Sequence, residues 1–342
     1  MNTPATQRHI AGWLLTVCAL VFAMVVLGGV TRLTHSGLSI VEWKPLVGAI
    51  PPLTHADWLE LFEKYKLTPE YLQVNVGMEL AGFQGIFWLE YLHRLLGRAI
   101  GLVFLLPFLY FLLRKQVDRS LVPKLVAMFA LGAAQGVLGW LMVASGLENE
   151  PRVSPYRLTA HLGLAVLIYG YMLWVALGLL WPHAVVNENA ARKLRGHGLS
   201  VTTLIAVTIL AGGFVAGTRA GFVFGDWPFM NGRLIPEGLY ALSPWWVNFF
   251  ENLATVQFHH RLLAYLLALM IPAWWLMARR QTLDSLTRLF FNLLLAMLAV
   301  QLVLGIATLL YNVPTVLASA HQAGALALFT LALVLNRRLR AG

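Results

Sequence analysis

Glu90-Tyr91-Leu92-His93-Arg94, with its echo Val256-Gln257-Phe258-His259-His260-Arg261, decides the reading of this chain. Both stretches lie inside long apolar runs. An arginine at the centre of a membrane helix costs about 3 kcal/mol on insertion scales, so such residues usually serve a function and face a protein interior. Two more histidines sit in similar runs: His161 in Leu158-Thr159-Ala160-His161-Leu162 and His321 in Ala318-Ser319-Ala320-His321-Gln322. The pattern to explain is two histidines in each half, similarly placed.

The surroundings are those of a polytopic membrane protein. Of 342 residues, 59% are hydrophobic and 12% charged, and the mean hydropathy is +0.71. No soluble domain hides that much apolar surface. The formal charge of +10 does not imply nucleic acid, because the cations form short clusters between apolar runs, as the positive-inside rule requires. The one cysteine, Cys18, lies in the first run and excludes an intrachain disulfide or a cysteine-based metal site. The polar start, Met1 to His9, has no small-residue cleavage site, so the first run is expected to stay as a helix.

Eight spans are expected, at about 11–31, 80–113, 123–145, 157–181, 199–217, 249–277, 289–311 and 316–336, each near or above the ~20 residues needed to cross. Fourteen of the 25 Lys and Arg, from Arg8 through the clusters at 114–124, 192–195, 279–288 and 337–340, then fall on one side. Both termini are expected in the cytoplasm and the long loops 32–79 and 218–248 outside. Within the first loop, 56–65 reads as an amphipathic helix with Trp58, Leu61, Phe62 and Tyr65 on one face, lying on the outer membrane surface or capping the bundle. Pro69-Glu70-Tyr71-Leu72 reads as a second short helix with Thr68 as its N-cap.

The chain repeats itself. Gly28-Gly29-Val30 answers Gly212-Gly213-Phe214, and Glu42-Trp43-Lys44-Pro45 answers Asp226-Trp227-Pro228, both 184 residues on. His93-Arg94 answers His260-Arg261 at 167, Gln135-Gly136-Val137-Leu138-Gly139 answers Gln301-Leu302-Val303-Leu304-Gly305 at 166, and Thr159-Ala160-His161 answers Ser319-Ala320-His321 at 160. Each half thus has four helices. An even number preserves direction, so the expectation is an all-α membrane protein of two parallel-repeat four-helix bundles, 1–195 and 196–342.

His93 lies 21 residues before Arg114, His260 19 before Arg279, His161 20 before Trp181 and His321 16 before Arg337. At 1.5 Å per residue all four lie ~24–32 Å from the cytoplasmic end, toward the outer side. A lone membrane histidine is usually a packing residue, but four at repeat-equivalent positions and matched depth point to ligation. Haem iron uses two facing imidazoles inside apolar walls. Arg94, Arg98 and Arg261 suit haem propionates. Gly132, Ala133, Ala134, Gly136, Gly139, Gly305 and Ala307 would let a flat ring approach the backbone, although small residues also serve ordinary helix packing. Zinc or copper would need further ligands that the second half lacks at this depth. His259 competes with His260 but faces ~100° away. His9, His35, His55, His183 and His197 read as solvated loop residues.

The halves are not equal. Glu90 aligns with Gln257, and Arg98 with Tyr265. Only the first half carries an acid one turn from its histidine, on the same helix face. The second half therefore reads as a redox cofactor site and the first as a reaction site, with Glu90 moving protons or stabilising a cation. The alternative for Glu90 is a structural partner of Arg94 or Arg98.

These residues resemble the haem A synthase family over nearly the whole chain. The resemblance rests on Gly28-Gly29-Val30-Thr31-Arg32-Leu33-Thr34, on Gly37-Leu38-Ser39-Ile40-Val41-Glu42-Trp43-Lys44-Pro45, on Glu90 to Arg94 and on Gln257 to Arg261. It implies haem b as cofactor on His260 and His321 and haem O as substrate near His93 and His161. It implies oxidation of the C8 methyl to a formyl through a hydroxymethyl intermediate, with an essential acid at the position of Glu90. It also implies the bacterial inner membrane, an unnamed redox partner, and transient contact with haem O synthase and the assembling terminal oxidase. One branch of the family carries a cysteine pair in outer loops; with Cys18 alone, no thiol relay operates outside in this chain. The rival readings are a bis-histidine electron carrier, which does not need Glu90 in one half only, and a haem or small-molecule transporter. Matching midplane helix breaks are lacking for the latter; Pro107 and Pro272 match only loosely.

Overall fold

The computed structural model describes residues 3–44, 47–181 and 186–340; Pro45 and His183, both singled out above, lie outside the described residues. Ten α-helices follow in order: α1 Pro4–Leu33, α2 His55–Lys66, α3 Pro69–Gln73, α4 Leu80–Leu113, α5 Val122–Ala144, α6 Pro155–Leu180, α7 Glu188–Thr218, α8 Leu253–Arg279, α9 Ser285–Leu310 and α10 Thr315–Arg338. Eight of them, all but α2 and α3, are long and apolar enough to cross a membrane, so the protein is an all-α polytopic membrane protein. Inside a bilayer each backbone N–H and C=O must be satisfied within its own segment, which is why these apolar runs are helical. Pro107 and Pro272 sit within α4 and α8 without ending them.

The helix starts follow capping chemistry. Thr54 and Asp57 form a capping box at α2, Thr68 accepts from the Tyr71 N–H at α3, Asn252 accepts from Ala254 and Thr255 at α8, and Asp284 accepts from Leu286 and Thr287 at α9. One boundary departs clearly from the sequence expectation. Helix α7 begins at Glu188, eleven residues before 199, so Arg192, Lys193 and Arg195 belong to a helix rather than a loop. Ala190, Ala191 and Leu194 are buried there, and the Leu194 carbonyl accepts from Trp274 Nε1 at 3.1 Å. Tertiary packing thus extends a helix past its apolar run. His9, His55 and His197 also lie in helices, and His197 Nε2 is 2.8 Å from the Met270 carbonyl.

By contacts the chain falls into two compact units, one of residues 1–18 with 166–342 and one of residues 19–165. In the first, α7 packs on α8, α8 on α9, α9 on α10 and α10 on α7, closing a four-helix ring. Trp274 is fully buried and meets Phe291 edge-on at 4.9 Å. Its indole lies where a side chain on Gly198 would project. At one end, Arg338 is buried and donates to Asp284 and Thr287, both at 2.7 Å.

In the second unit α2 caps α4. Phe62 and Tyr65 are buried with Phe83, Phe87 and Tyr91, and Trp58 and Leu61 pack against them. The amphipathic face read from the sequence is therefore spent on the bundle. Lys64 and Lys44 both pair with Glu42, at 3.0 and 2.7 Å. Those cations hold its carboxyl below the usual range and tie the loop to α2.

Candidate functional site

Each of the four histidines rests on a glycine of a neighbouring helix. A Cβ added to Gly28 of α1 would lie 3.0 Å from His93 Nε2, and one on Gly139 of α5 would lie 2.9 Å from His161 Cε1. In the other unit a Cβ on Gly212 of α7 would lie 3.2 Å from His260 Cε1, and one on Gly305 of α9 would lie 2.8 Å from His321 Cε1. All four contacts are too close to accept a methyl without displacement. The repeat offsets of 184, 167, 166 and 160 carry the first set of residues onto the second. Gly132 and Gly136, by contrast, face open space.

The His260 and His321 rings stand 6.5 Å apart between centroids, at 83°. Their Nδ1 atoms, and that of His161, are buried without a hydrogen-bond partner. His259 is turned away: its Nε2 lies 2.7 Å from Tyr240 Oη and its ring packs on Phe249 at 4.9 Å. Gln135 donates to the His161 carbonyl at 3.0 Å, and Gln301 donates to the His321 carbonyl at 2.9 Å. No group of three or more His, Cys, Asp or Glu that could hold a metal ion gathers among the described residues, so the histidines stand as pairs.

Arg94 and Arg261 do the same local work. Arg94 donates to the Ile40 carbonyl at 2.7 Å and the Glu42 carbonyl at 3.1 Å. Arg261 donates to the Phe224 carbonyl at 3.1 Å and the Asp226 carbonyl at 3.0 Å, and also to Phe229 at 2.8 Å. Ile40 and Phe224, like Glu42 and Asp226, are 184 apart. Each arginine therefore clamps the returning interhelical loop onto its helix. Asp226 also accepts from the Gly232 and Asn231 N–H groups, which hold its carboxyl below the ordinary range. Arg98 donates to the Lys44 carbonyl at 3.0 Å.

Glu90 is where the two halves differ. Its side chain is buried, 3% exposed, against an Arg94 side chain 15% exposed. Oε1 accepts from Arg94 Nε at 3.0 Å and Nη2 at 2.6 Å. Oε2 accepts from Ser39 Oγ at 2.7 Å and the Ile40 N–H at 2.8 Å. Two carboxylate oxygens offer about four lone-pair sites, and four donors fill them. At the equivalent place the neutral amide of Gln257 donates to the Phe224 carbonyl at 3.0 Å and leaves its Oε1 unpartnered. Glu90, Arg94 and Arg98 share α4 with His93, while Arg261 shares α8 with His260. Beside Arg94 a cavity of about 190 Å³ is lined by Glu42, Trp43, Trp140, Leu147 and Glu148 among others. Ser39 and the two glutamines had no role in the sequence reading. Ser39 stood within the Gly37–Pro45 run and the glutamines marked the repeat, but nothing in the sequence says whom they touch.

Comparison with known proteins places the chain among relatives. Residues 11–333 match the model of the COX15-CtaA family, described as cytochrome oxidase assembly protein. The chain is 58% identical to the heme A synthase of Nitrosospira multiformis over 98% of its own length and 95% of the relative's. It is 55% identical to the heme A synthase of Nitrosomonas eutropha, over 98% and 95%. It is 46% identical to heme A synthase COX15 of Arabidopsis thaliana, over 98% of this chain and 76% of that one.

Proposed function

This chain belongs to the COX15-CtaA family of cytochrome oxidase assembly proteins, and on that premise we propose that it oxidises haem O to haem A in the bacterial plasma membrane. The single observation that carries the reading is the set of four histidines, each seated on a glycine, with an acid beside only one pair.

The cofactor reading is haem b on His260 and His321. The residues fit the group. The 6.5 Å between the His260 and His321 ring centroids would leave room for one metal atom held by both imidazoles at about 2 Å. Orphaned imidazole nitrogens in an apolar bundle are also what an iron site requires. Bound there, the haem would supply one-electron redox chemistry. His93 and His161 would receive haem O in the same manner. The halves 1–195 and 196–342 would then be parallel repeats, a reading supported by the matching arginine clamps.

The work of the remaining residues follows from what they hold. Methyl to hydroxymethyl to formyl is a four-electron oxidation in which the methyl carbon loses C–H bonds, passes through electron-poor states and gives its electrons to the redox partner. With every acceptor site filled, Glu90 has no free lone pair to turn toward a substrate hydrogen. Its charge, fixed in a low-dielectric site, instead favours positive charge developing nearby. Ser39 and Arg94 orient it. Arg94, Arg98 and Arg261 remain the propionate candidates through N–H groups not given to the loop: among the described residues Arg261 Nε has no acceptor, and the bonds of Arg94 leave one Nη1 hydrogen. Contact with haem O synthase and with the assembling oxidase belongs to the same proposal, since so apolar a haem does not travel through water.

The test is haem extraction and chromatography from cells that make haem O, with and without this chain. New haem A, or its hydroxymethyl precursor, supports the reading. Unchanged haem O, with haem b bound and a redox partner supplied, overturns it in favour of an electron carrier.

A further inference from the structure

A second acid is buried above the Glu90 site and has no cation. Glu70 on α3 is 3% exposed, and none of the ion pairs among the described residues includes it. Its Oε2 accepts from Tyr65 Oη at 3.4 Å. That phenol is itself fully buried and accepts from Asn75 Nδ2 at 2.8 Å, and Asn75 is partly exposed. The surroundings are rings: Tyr71 lies 5.8 Å from Tyr65, and Tyr65 lies 5.1 Å from Phe83 of α4. Phe83, Phe87, Glu90 and Arg94 fall on one face of α4, so Glu90 is about 10 Å further along the helix than the ring that meets Tyr65. The titratable groups facing Glu70 are Tyr65 from α2 and Glu90 from α4, with Tyr71 on α3 itself.

The two acids live in opposite environments. Glu90 has a guanidinium, a hydroxyl and a backbone N–H; Glu70 has one long bond from a phenol inside an aromatic cluster. An uncompensated buried carboxylate is costly, so a proton settles on the acid with the fewest donors. Acids whose environments diverge in this way divide the roles of proton holder and fixed charge. We propose that Glu70 is the proton-exchanging group of the outer cap, taking its proton from the outer aqueous phase past Asn75 and Tyr65 and tuning by its charge the field at the Glu90–Arg94 pair. Burial, with the charge of Glu90 added, raises its carboxyl to about 7, which places the switch near neutrality. Glu70 is a positioning residue in this scheme, acting on the substrate through the field. The inference rests on the proposed oxidation of haem O at the Glu90 site.

The experiment uses the full chain with its bound haem in lipid nanodiscs. Infrared titration reads the protonated-carboxyl band directly, and haem A formation is followed against pH in parallel. The wild type is expected to show a band that titrates near pH 7 and vanishes in Glu70→Gln. Its rate is expected to rise several-fold through the same pH, the direction in which a new negative charge on Glu70 favours positive charge developing near Glu90. Glu70→Gln should stay at the low-pH rate. Tyr65→Phe keeps the ring and removes the one donor, so it should move the midpoint upward; this arm decides the matter if Glu70→Gln does not fold. A band that persists in Glu70→Gln, or one that titrates at an ordinary carboxyl pH, overturns the inference. Absence of haem A from the wild type overturns the oxidation reading instead and leaves the infrared arm to judge Glu70.

Discussion

Ser39 Oγ donates to Glu90 Oε2 at 2.7 Å, joining a residue of the α1–α2 loop to α4 across 51 positions of sequence. Both side chains are buried, so the bond is one of the four that fix the orientation and charge of the carboxylate. Ser39→Ala leaves that oxygen short of one donor. The expected cost is about 1–3 kcal/mol in thermal unfolding, with a reduced rate of haem A formation and unchanged cofactor haem. Cofactor loss alongside the rate would mean that the bond supports the whole unit rather than Glu90.

Glu90 itself separates charge from shape. Glu90→Ala strands the partly buried guanidinium of Arg94 and is expected to cost on the order of 3–5 kcal/mol. Glu90→Gln keeps the volume and loses the charge. It is expected to lower haem A formation at least tenfold while the His260–His321 spectrum stays as in the wild type. Normal haem A formation by Glu90→Gln would remove the electrostatic role.

The glycine seats make a paired prediction. In Gly305→Ala the new methyl would fall 2.8 Å from His321 Cε1, whereas in Gly132→Ala it would meet nothing within 4 Å. Overpacking of the first kind costs roughly 1–3 kcal/mol. Gly305→Ala should weaken haem retention or shift the axial-ligand spectrum, and Gly132→Ala should leave both alone. Optical and electron-paramagnetic spectra of the two purified variants decide it.

Ligand assignment has its own asymmetry. His260→Ala and His321→Ala should each lose the bis-histidine cofactor spectrum, and His93→Ala should keep it while losing turnover. The assignment fails if His260→Ala retains full cofactor haem with an unaltered spectrum.

Glu70 also predicts a pH dependence of stability. Its carboxyl rises from 4.5 to about 7 on folding, so its contribution is fully present below the unfolded value and is lost as pH climbs toward 7. The loss is on the order of 3 kcal/mol for such a shift. Thermal unfolding between pH 5 and pH 8 should show the wild type losing stability relative to Glu70→Gln as pH rises. Parallel curves would show that the group is already ionised at pH 5.

Much of this was legible in the residues. Eight apolar runs of membrane length point to helices, and eight helices of that kind stand among the described residues. The apolar stripe Trp58, Leu61, Phe62 and Tyr65 and the cap at Thr68 fix α2 and α3, because periodicity and capping act within a few residues. The Glu90–Gln257 difference was equally plain once the repeat was aligned. The start of α7 was not, since Ala190, Ala191 and Leu194 are helical for what they pack against.

The sequence by itself determined the helices, the repeat and the list of chemistry-bearing residues, because membrane insertion and local periodicity constrain each segment alone. Only the tertiary structure decided what those residues face. Glu90 is saturated by Ser39, Ile40 and Arg94; Arg94 and Arg261 clamp loops; four glycines seat four imidazoles; and Glu70 is buried without a cation. Apart from the Arg94–Glu90 pair and the Tyr65–Glu70 bond, these contacts join positions sixteen or more residues apart, and which buried group receives a partner depends on how the helices pack, a matter no local pattern encodes.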